Sequence, residues 1–211
     1  MSSPPTPAQQ SFAALKKLYA NKEYADFIIK CGNDSHKAHT AVVCPQSVFF
    51  RAAFDKDNNT VESKTSEVSL SEHHPTAVRV LIYFFYHYSY PSIAADGSLA
   101  ASPSNAPNIV NHLRVVQLAD FCQVEGLKAL AIIKFKAAAI KFWRHPEFFE
   151  AAVKIFGFAT SESVQLRKIM VNVFMDHRPL LNNPDFQELA RNSALAFELL
   201  MEVQKDGEWD T

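Results

Sequence analysis

Hydrophobic positions along this chain change their period several times, and each change marks an element. Phe12, Leu15, Leu18 and Tyr19 recur at i, i+3, i+6 and i+7, which predicts a short helix with one apolar stripe that something must cover. From Ala25 to Cys31 the period drops to two, with Phe27, Ile29 and Cys31 alternating against Asp26, Ile28 and Lys30. The turn-forming Gly32-Asn33-Asp34 then leads into Ser35 to His39, so the pattern predicts a hairpin. Val42 to Phe54 is helical in composition, but Pro45 has no amide hydrogen to donate. That predicts two short helices with a break, the second capped by Ser47. The polar run Asp55 to Ser66, centred on Asn58-Asn59, reads as a surface loop, and Val68 and Leu70 as a short strand.

A central helix follows. Pro75 suits its first turn, Val78, Leu81, Ile82 and Phe85 make one apolar face, and Tyr83, Phe84 and Tyr86 make the other side apolar too. A helix hydrophobic all round lies between layers. From residue 92 to 108, Ala, Ser, Pro and Asn dominate and Asp96-Gly97 and Pro103 break any period, which predicts a flexible loop. Ile109, His112, Leu113 and Val116, with Val115, Leu118, Ala119 and Cys122, then predict one helix, and Phe135, Ala138, Ala139 and Phe142 a second, meeting near Gln123 to Gly126. The remainder is helical in pattern. Phe148, Ala151, Ala152 and Ile155 precede a stop at Gly157; Leu166, Ile169, Met170 and Val173 precede Pro179; Asn183-Pro184 opens a helix through Phe186 and Leu189; and Ala196, Leu199, Leu200 and Val203 close the chain. No repeat of solenoid length is present. Residues 1–10, with Pro4, Pro5 and Pro7 among Ser, Thr and Gln, read as a disordered tail without the basic start or apolar run of a secretory signal.

The 211 residues are 48% hydrophobic and 12% aromatic, enough apolar material for a sizeable core. A net charge of -1 supplies no bulk field for nucleic acid or an anionic membrane, so neither is an expected partner. The basic stretch Lys128, Lys134, Lys136, Lys141 and Arg144 reads as the solvated face of a helix whose other side carries Leu130, Ile133 and Phe135. No run approaches the roughly 20 apolar residues that span a bilayer. Cys31, Cys44 and Cys122 are an odd, widely spaced set, which predicts free thiols in a reducing, cytoplasmic or nuclear compartment.

Chemistry-bearing patterns are few. Cys31, His36, His39 and Cys44 have the residue types that zinc prefers, but alternation along a strand sends His36 and His39 to opposite faces, and the expected alternative is small core cysteines. His73-His74 before Pro75 reads as a solvated helix start. Five glycines leave no phosphate-cradling loop, and no strained Gly-x-Ser-x-Gly elbow accompanies Ser47 or Ser63. No catalytic, cofactor-binding or metal-binding residue is expected.

Several segments together resemble a BTB/POZ domain: Ala25-Asp26-Phe27-Ile28-Ile29, Ala38-His39-Thr40-Ala41-Val42-Val43, Ser47 to Phe54, Glu62-Ser63, Glu67-Val68-Ser69-Leu70 and Pro75 to Tyr86. The resemblance implies an α+β, Skp-like fold, a small sheet flanked by a cluster of helices over residues 11–141. Residues 142–205 resemble the start of a BACK-type helical extension. It implies a protein that binds proteins and does no chemistry, acting as a homo- or hetero-oligomerising module and an adaptor for a cullin-type ubiquitin ligase. The alternative is an oligomerisation or transcription-linked scaffold with no ubiquitin role; a small zinc-dependent or hydrolytic enzyme is the reading from a different class. Dimerising members pack their first helix against a partner, so Phe12, Leu15, Leu18 and Tyr19 are the candidate surface, with Val43, Val48 and Phe49 as neighbours. Tyr86, Tyr88 and Tyr90 join them from the family's tyrosine-rich end of the central helix, where Tyr88 replaces a usual glycine. The family also places an acid on its first strand close to the start of its first helix, which makes Asp26 and His39 a candidate hydrogen-bonded pair. Thr40 and Gln46 depart from the cationic residues of corepressor-holding members. Ser92 to Asn108 lacks the hydrophobic-x-Glu motif of many cullin binders, with Asp96 its sole acid, and no kelch, MATH or zinc-finger pattern occurs.

Overall fold

The computed structural model describes residues 5–55, 60–94, 96–100, 105–157 and 163–205. The chain divides into two compact units, Met1–Ala106 with Arg114–Ala131, and Pro107–Leu113 with Ile132–Thr211.

In the first unit, helix α1 (Pro7–Asn21) precedes a hairpin of β1 (Phe27–Cys31) and β2 (Asp34–Ala38). Helix α2 (Thr40–Val43), a 3-10 turn (Cys44–Gln46), α3 (Val48–Ala53) and α4 (Val61–Thr65) lead to β3 (Glu67–Ser69) and α5 (Pro75–His87). The sheet order is β2-β1-β3, with β1 antiparallel to β2 and parallel to β3, so that Ile29 faces His36 on one side and Val68 on the other. Gly32 sits in the hairpin turn at φ +57, a backbone region that a side chain disfavours. Phe27, Ile29 and Cys31 point into the core, as their alternation requires.

Helix α5 is the centre of this unit. Its Pro75 occupies the first turn, and nine of its 13 residues are buried, the other four, Pro75, Arg79, Tyr83 and His87, being half-buried along one stripe. Phe85 meets Phe50 at 5.9 Å between ring centroids, and Phe50 meets Phe27 at 6.0 Å, which joins helix, α3 and sheet in one aromatic core. Polar anchors cross this core. Gln46 Nε2 donates to the carbonyls of Val42 (2.7 Å) and Phe85 (2.9 Å). The Tyr86 hydroxyl accepts from the His39 amide (3.1 Å) and bonds His39 Nδ1 (2.7 Å), while His39 Nε2 reaches the Glu23 carbonyl (2.7 Å). Ser47 caps α3 by accepting from Phe50 N (3.2 Å) and donates to the Cys122 carbonyl (2.6 Å).

Three expectations are corrected. The expected disordered tail is helical from Pro7, because Thr6 and Gln9 form a reciprocal capping box around it; residues 1–4 lie outside the described residues. The polar run contains α4, capped by Thr60 through Ser63 N (3.1 Å), with residues 56–59 outside the described residues. The expected flexible loop carries a hairpin of β4 (Ser92–Ile93) and β5 (Leu99–Ala100). Its Gly97, at φ +80, lies so close to α5 that a Cβ would collide with the Thr76 hydroxyl. Residues 95 and 101–104 are outside the described residues.

Helices α6 (Ile109–Phe121) and α7 (Glu125–Lys141) contribute residues to both units. In the second unit α8 (Pro146–Gly157), α9 (Ser163–Asp176), α10 (Pro184–Asn192) and α11 (Leu195–Lys205) pack around Phe148, Phe174 and Phe186, with centroids 5.2 and 4.9 Å apart. Arg167 links α8 to α11 through the Ile155 carbonyl (3.3 Å) and Glu198 (3.2 Å). Among the described residues no helix is long and apolar enough to cross a membrane.

Removing both Ser47 bonds with Ser47→Ala should lower unfolding stability by about 2 kcal/mol in urea, with the denaturant slope unchanged. Alkali should act through Tyr86. Burial pushes its phenol up to about 12 from an ordinary 10.0, against the His39 amide bond, with Asp26 and Tyr19 adding to the rise. The folded state holds the neutral phenol, so this contribution to stability is fully present below pH 10 and is lost as pH climbs through about 12. Denaturation followed across that window should show the decline, and Tyr86→Phe should flatten part of it; Tyr90, also raised by burial, supplies a further part.

Candidate functional site

The candidate interaction surface is built on α1. No residue of this helix is buried, and it packs chiefly on α5. Tyr19 makes the seam: its ring lies 5.4 Å from Tyr83, 5.6 Å from Tyr86 and 4.9 Å from His87. Tyr83 and His87 stack at 3.7 Å behind it, and Lys22 Nζ sits 3.8 Å over the Tyr19 ring. Burial lowers the His87 pKa, as do Lys16 and Lys22, against the bond to the Tyr83 carbonyl, which leaves a neutral imidazole suited to stacking. Leu15 and Leu18 are half-buried.

At the other end of the seam Phe12 meets Tyr88 edge to face at 5.6 Å, yet the two remain 44% and 49% exposed. Tyr88 caps α5 in the left-handed region at φ 52. A glycine adopts that conformation without strain, so the ring's place there rests on its contacts with Phe12 and with Phe84 (6.1 Å).

A second exposed aromatic region lies at the start of α3. Val48 is 47% exposed, and half-buried Phe49 packs against Phe121 at 4.9 Å. Phe121 is itself 49% exposed and meets His73 at 4.7 Å. Sequence reasoning missed Phe121, because it falls off both apolar faces read for its helix; being an aromatic on the polar side of an amphipathic pattern was the available signal.

Three of the expected surface residues are not surface. Val43, Tyr86 and Tyr90 are 0%, 0% and 2% exposed. Val43 turns inward from α2, Tyr86 lies on the inner side of α5 with its hydroxyl on His39, and Tyr90 is enclosed just beyond that helix. Phe12, Leu15, Leu18, Tyr19, Val48, Phe49 and Tyr88 retain exposure.

The residues of zinc-like spacing do not converge. Cys31 Sγ points to the His73 carbonyl (3.3 Å), Cys44 Sγ to the Phe50 carbonyl (3.6 Å), and His39 has both ring nitrogens engaged. Among the described residues no group of three or more His, Cys, Asp or Glu side chains could hold a metal ion. Burial raises the Cys31 and Cys44 thiols and pushes Cys122 up to about 12, so all three are held as neutral thiols. Asp26 pairs with Thr40 and not His39, accepting from its amide (2.8 Å) and its hydroxyl. His74 is the N-cap of α5, where Nδ1 accepts from Thr76 N (3.3 Å), and its neighbour His73 is half-buried. On α7 Lys128 is paired with Asp120, and Ile133, read as part of the apolar side, is 65% exposed.

Known proteins place this architecture. The family model of the BTB/POZ domain matches residues 15–131. No curated protein matches the chain. Among solved structures, the BTB (Tramtrack and Bric a brac) domain of human gigaxonin is similar at 15% identity, covering 62% of this chain and 95% of that one, with a TM-score of 0.41. The family model, spanning more than half the sequence, carries the assignment: this chain belongs to the BTB/POZ family, whose domains associate with other proteins and oligomerise.

Proposed function

We propose that this protein is a self-associating interaction module and that a second copy covers the α1 surface. One observation carries the reading. Phe12, on a helix with no buried residue of its own, and Tyr88, at the end of α5, form an aromatic pair that is half open to solvent. Aromatic rings clustered on one exposed face lose the most by staying in water and gain the most from a complementary surface.

Two finer readings have less behind them. Transcription-linked members use cations near the start of the first helices, but here Thr40 is bonded to Asp26 and Gln46 reaches inward to Val42 and Phe85. For the cullin adaptor reading, family membership speaks in favour and the chemistry of residues 92–108 against, since Asp96 is the sole acid in that segment.

Light scattering should find a dimer at micromolar concentration. Phe12→Ser combined with Tyr88→Asn should weaken dimerisation at least about a hundredfold, since it removes two rings from each copy. Asparagine tolerates the left-handed backbone at 88, so stability of the folded chain should change by no more than about 1 kcal/mol. A wild type that stays monomeric at tens of micromolar, or a double variant that dimerises as before, defeats the proposal. Addition of a purified cullin N-terminal region in the same experiment separates the adaptor reading: a stoichiometric complex with the double variant would place cullin binding elsewhere on the domain.

A further inference from the structure

A cavity of about 430 Å3 opens in the first unit where α1, β2, α5 and the β4–β5 hairpin meet. Tyr19, Ile82 and Leu99 give it apolar walls, and Lys22, His36 and Arg79 complete its lining. Its size falls in the range of small-molecule sites, and so does the balance of apolar lining with a few convergent polar groups.

Arg79 is held in place from two sides. Its Nε and Nη2 both reach Asp34 Oδ2 at 3.2 Å, and Nη1 donates to the Gly97 carbonyl at 3.2 Å. Five N–H donors on a guanidinium leave it further hydrogens to offer. Asp34 balances its charge. Lys22, by contrast, rests on the Tyr19 ring and makes no ion pair among the described residues. His36 Nε2 is shielded from solvent and has no hydrogen-bond partner among the described residues, a state that buried polar atoms seldom keep. Burial lowers the His36 pKa, with Arg79 and Lys22 acting the same way and Asp34 opposing, so the ring is neutral and either nitrogen can be the donor.

The lining thus combines one unbalanced positive charge, spare N–H donors and apolar walls. A dianion would exceed that charge, and the exposed Asp96 carboxylate, held on Ser98 N at 2.9 Å and acting on Arg79, adds to the mismatch. We propose that this cavity binds a small organic carboxylate, its apolar body against Tyr19, Ile82 and Leu99 and its oxygens toward Lys22 and Arg79. Because Tyr19 and Lys22 come with α1 while His36 and Arg79 belong to β2 and α5, the ligand ties the helix to the body.

Amide NMR of the full chain with benzoate tests this, with benzamide as the neutral molecule of the same shape and inorganic phosphate as the compact anion. Benzoate at millimolar concentration should give saturable shifts confined to amides near Lys22, His36, Gly97 and Leu99. Benzamide and phosphate should bind at least about tenfold more weakly. Lys22→Asn, which keeps a residue tolerant of the left-handed backbone at φ 57, should weaken benzoate by about tenfold while the rest of the spectrum is preserved. Absence of saturable benzoate shifts, equal binding of benzamide or phosphate, or benzoate binding undiminished by Lys22→Asn overturns the proposal. The wild-type comparison decides by itself should the variant not fold.

Discussion

Burial of α5 on all but one stripe is the constraint from which the rest of the first unit follows. A helix with apolar residues around most of its circumference must be covered by several elements at once. The three-stranded sheet, the α2 and α3 pair and the hairpin at Gly97 are those covers, and each is fastened to α5 by a polar bond that only one register satisfies. Gln46 on the Phe85 carbonyl and His39 on the Tyr86 hydroxyl do this for the short helices. Arg79 does it for the hairpin and for β2 through Gly97 and Asp34. A buried polar group without its partner would cost about 1–3 kcal/mol, so these bonds select a unique packing more than they add to its strength.

The same constraint explains why the candidate surface lies where it does. The covers of α5 are folded in place except at its Tyr83–Tyr88 side, where α1 lies with no residue of its own buried. A helix docked along one seam keeps part of its apolar stripe in water, and Phe12 is that part, with Tyr88 of α5 exposed beside it. The left-handed backbone at Tyr88 accompanies a ring that reaches Phe12, where a glycine would relax the backbone and offer no contact. The proposed association surface and the cavity share one seam: its outer side carries the aromatic pair, and its inner side carries Lys22 above Tyr19.

Much of this was legible in the order of residues because local physics decided it. Two-residue alternation placed Phe27, Ile29 and Cys31 inward; Pro45 split its helix; Ser47 capped α3; and the apolar run Val80 to Tyr86 announced a buried rod. The T-x-x-Q box at Thr6 to Gln9 and the Thr60 cap were equally local, yet their proline-rich and polar surroundings masked them. The candidate surface was legible only by half. Periodicity shows which positions are apolar, and Val43, Tyr86 and Tyr90 are apolar or aromatic like Phe12 and Tyr88, but it does not show which side of an element its neighbours cover.

What the sequence determined by itself is therefore the inventory: most of the elements, the burial of the central helix, and the motifs that mark the BTB/POZ family. Tertiary structure alone decided which partner each polar group found and which rings stayed in water. Asp26 went to Thr40, His39 to Tyr86, Cys31 and Cys44 to separate carbonyls, and Lys22, His36 and Arg79 came together from distant positions. The reason is one of range. Hydrogen-bonding caps, turns and amphipathic faces act over a few residues, whereas the meeting of side chains from α1, β2 and α5 exists only after the helix and sheet have closed around a common core.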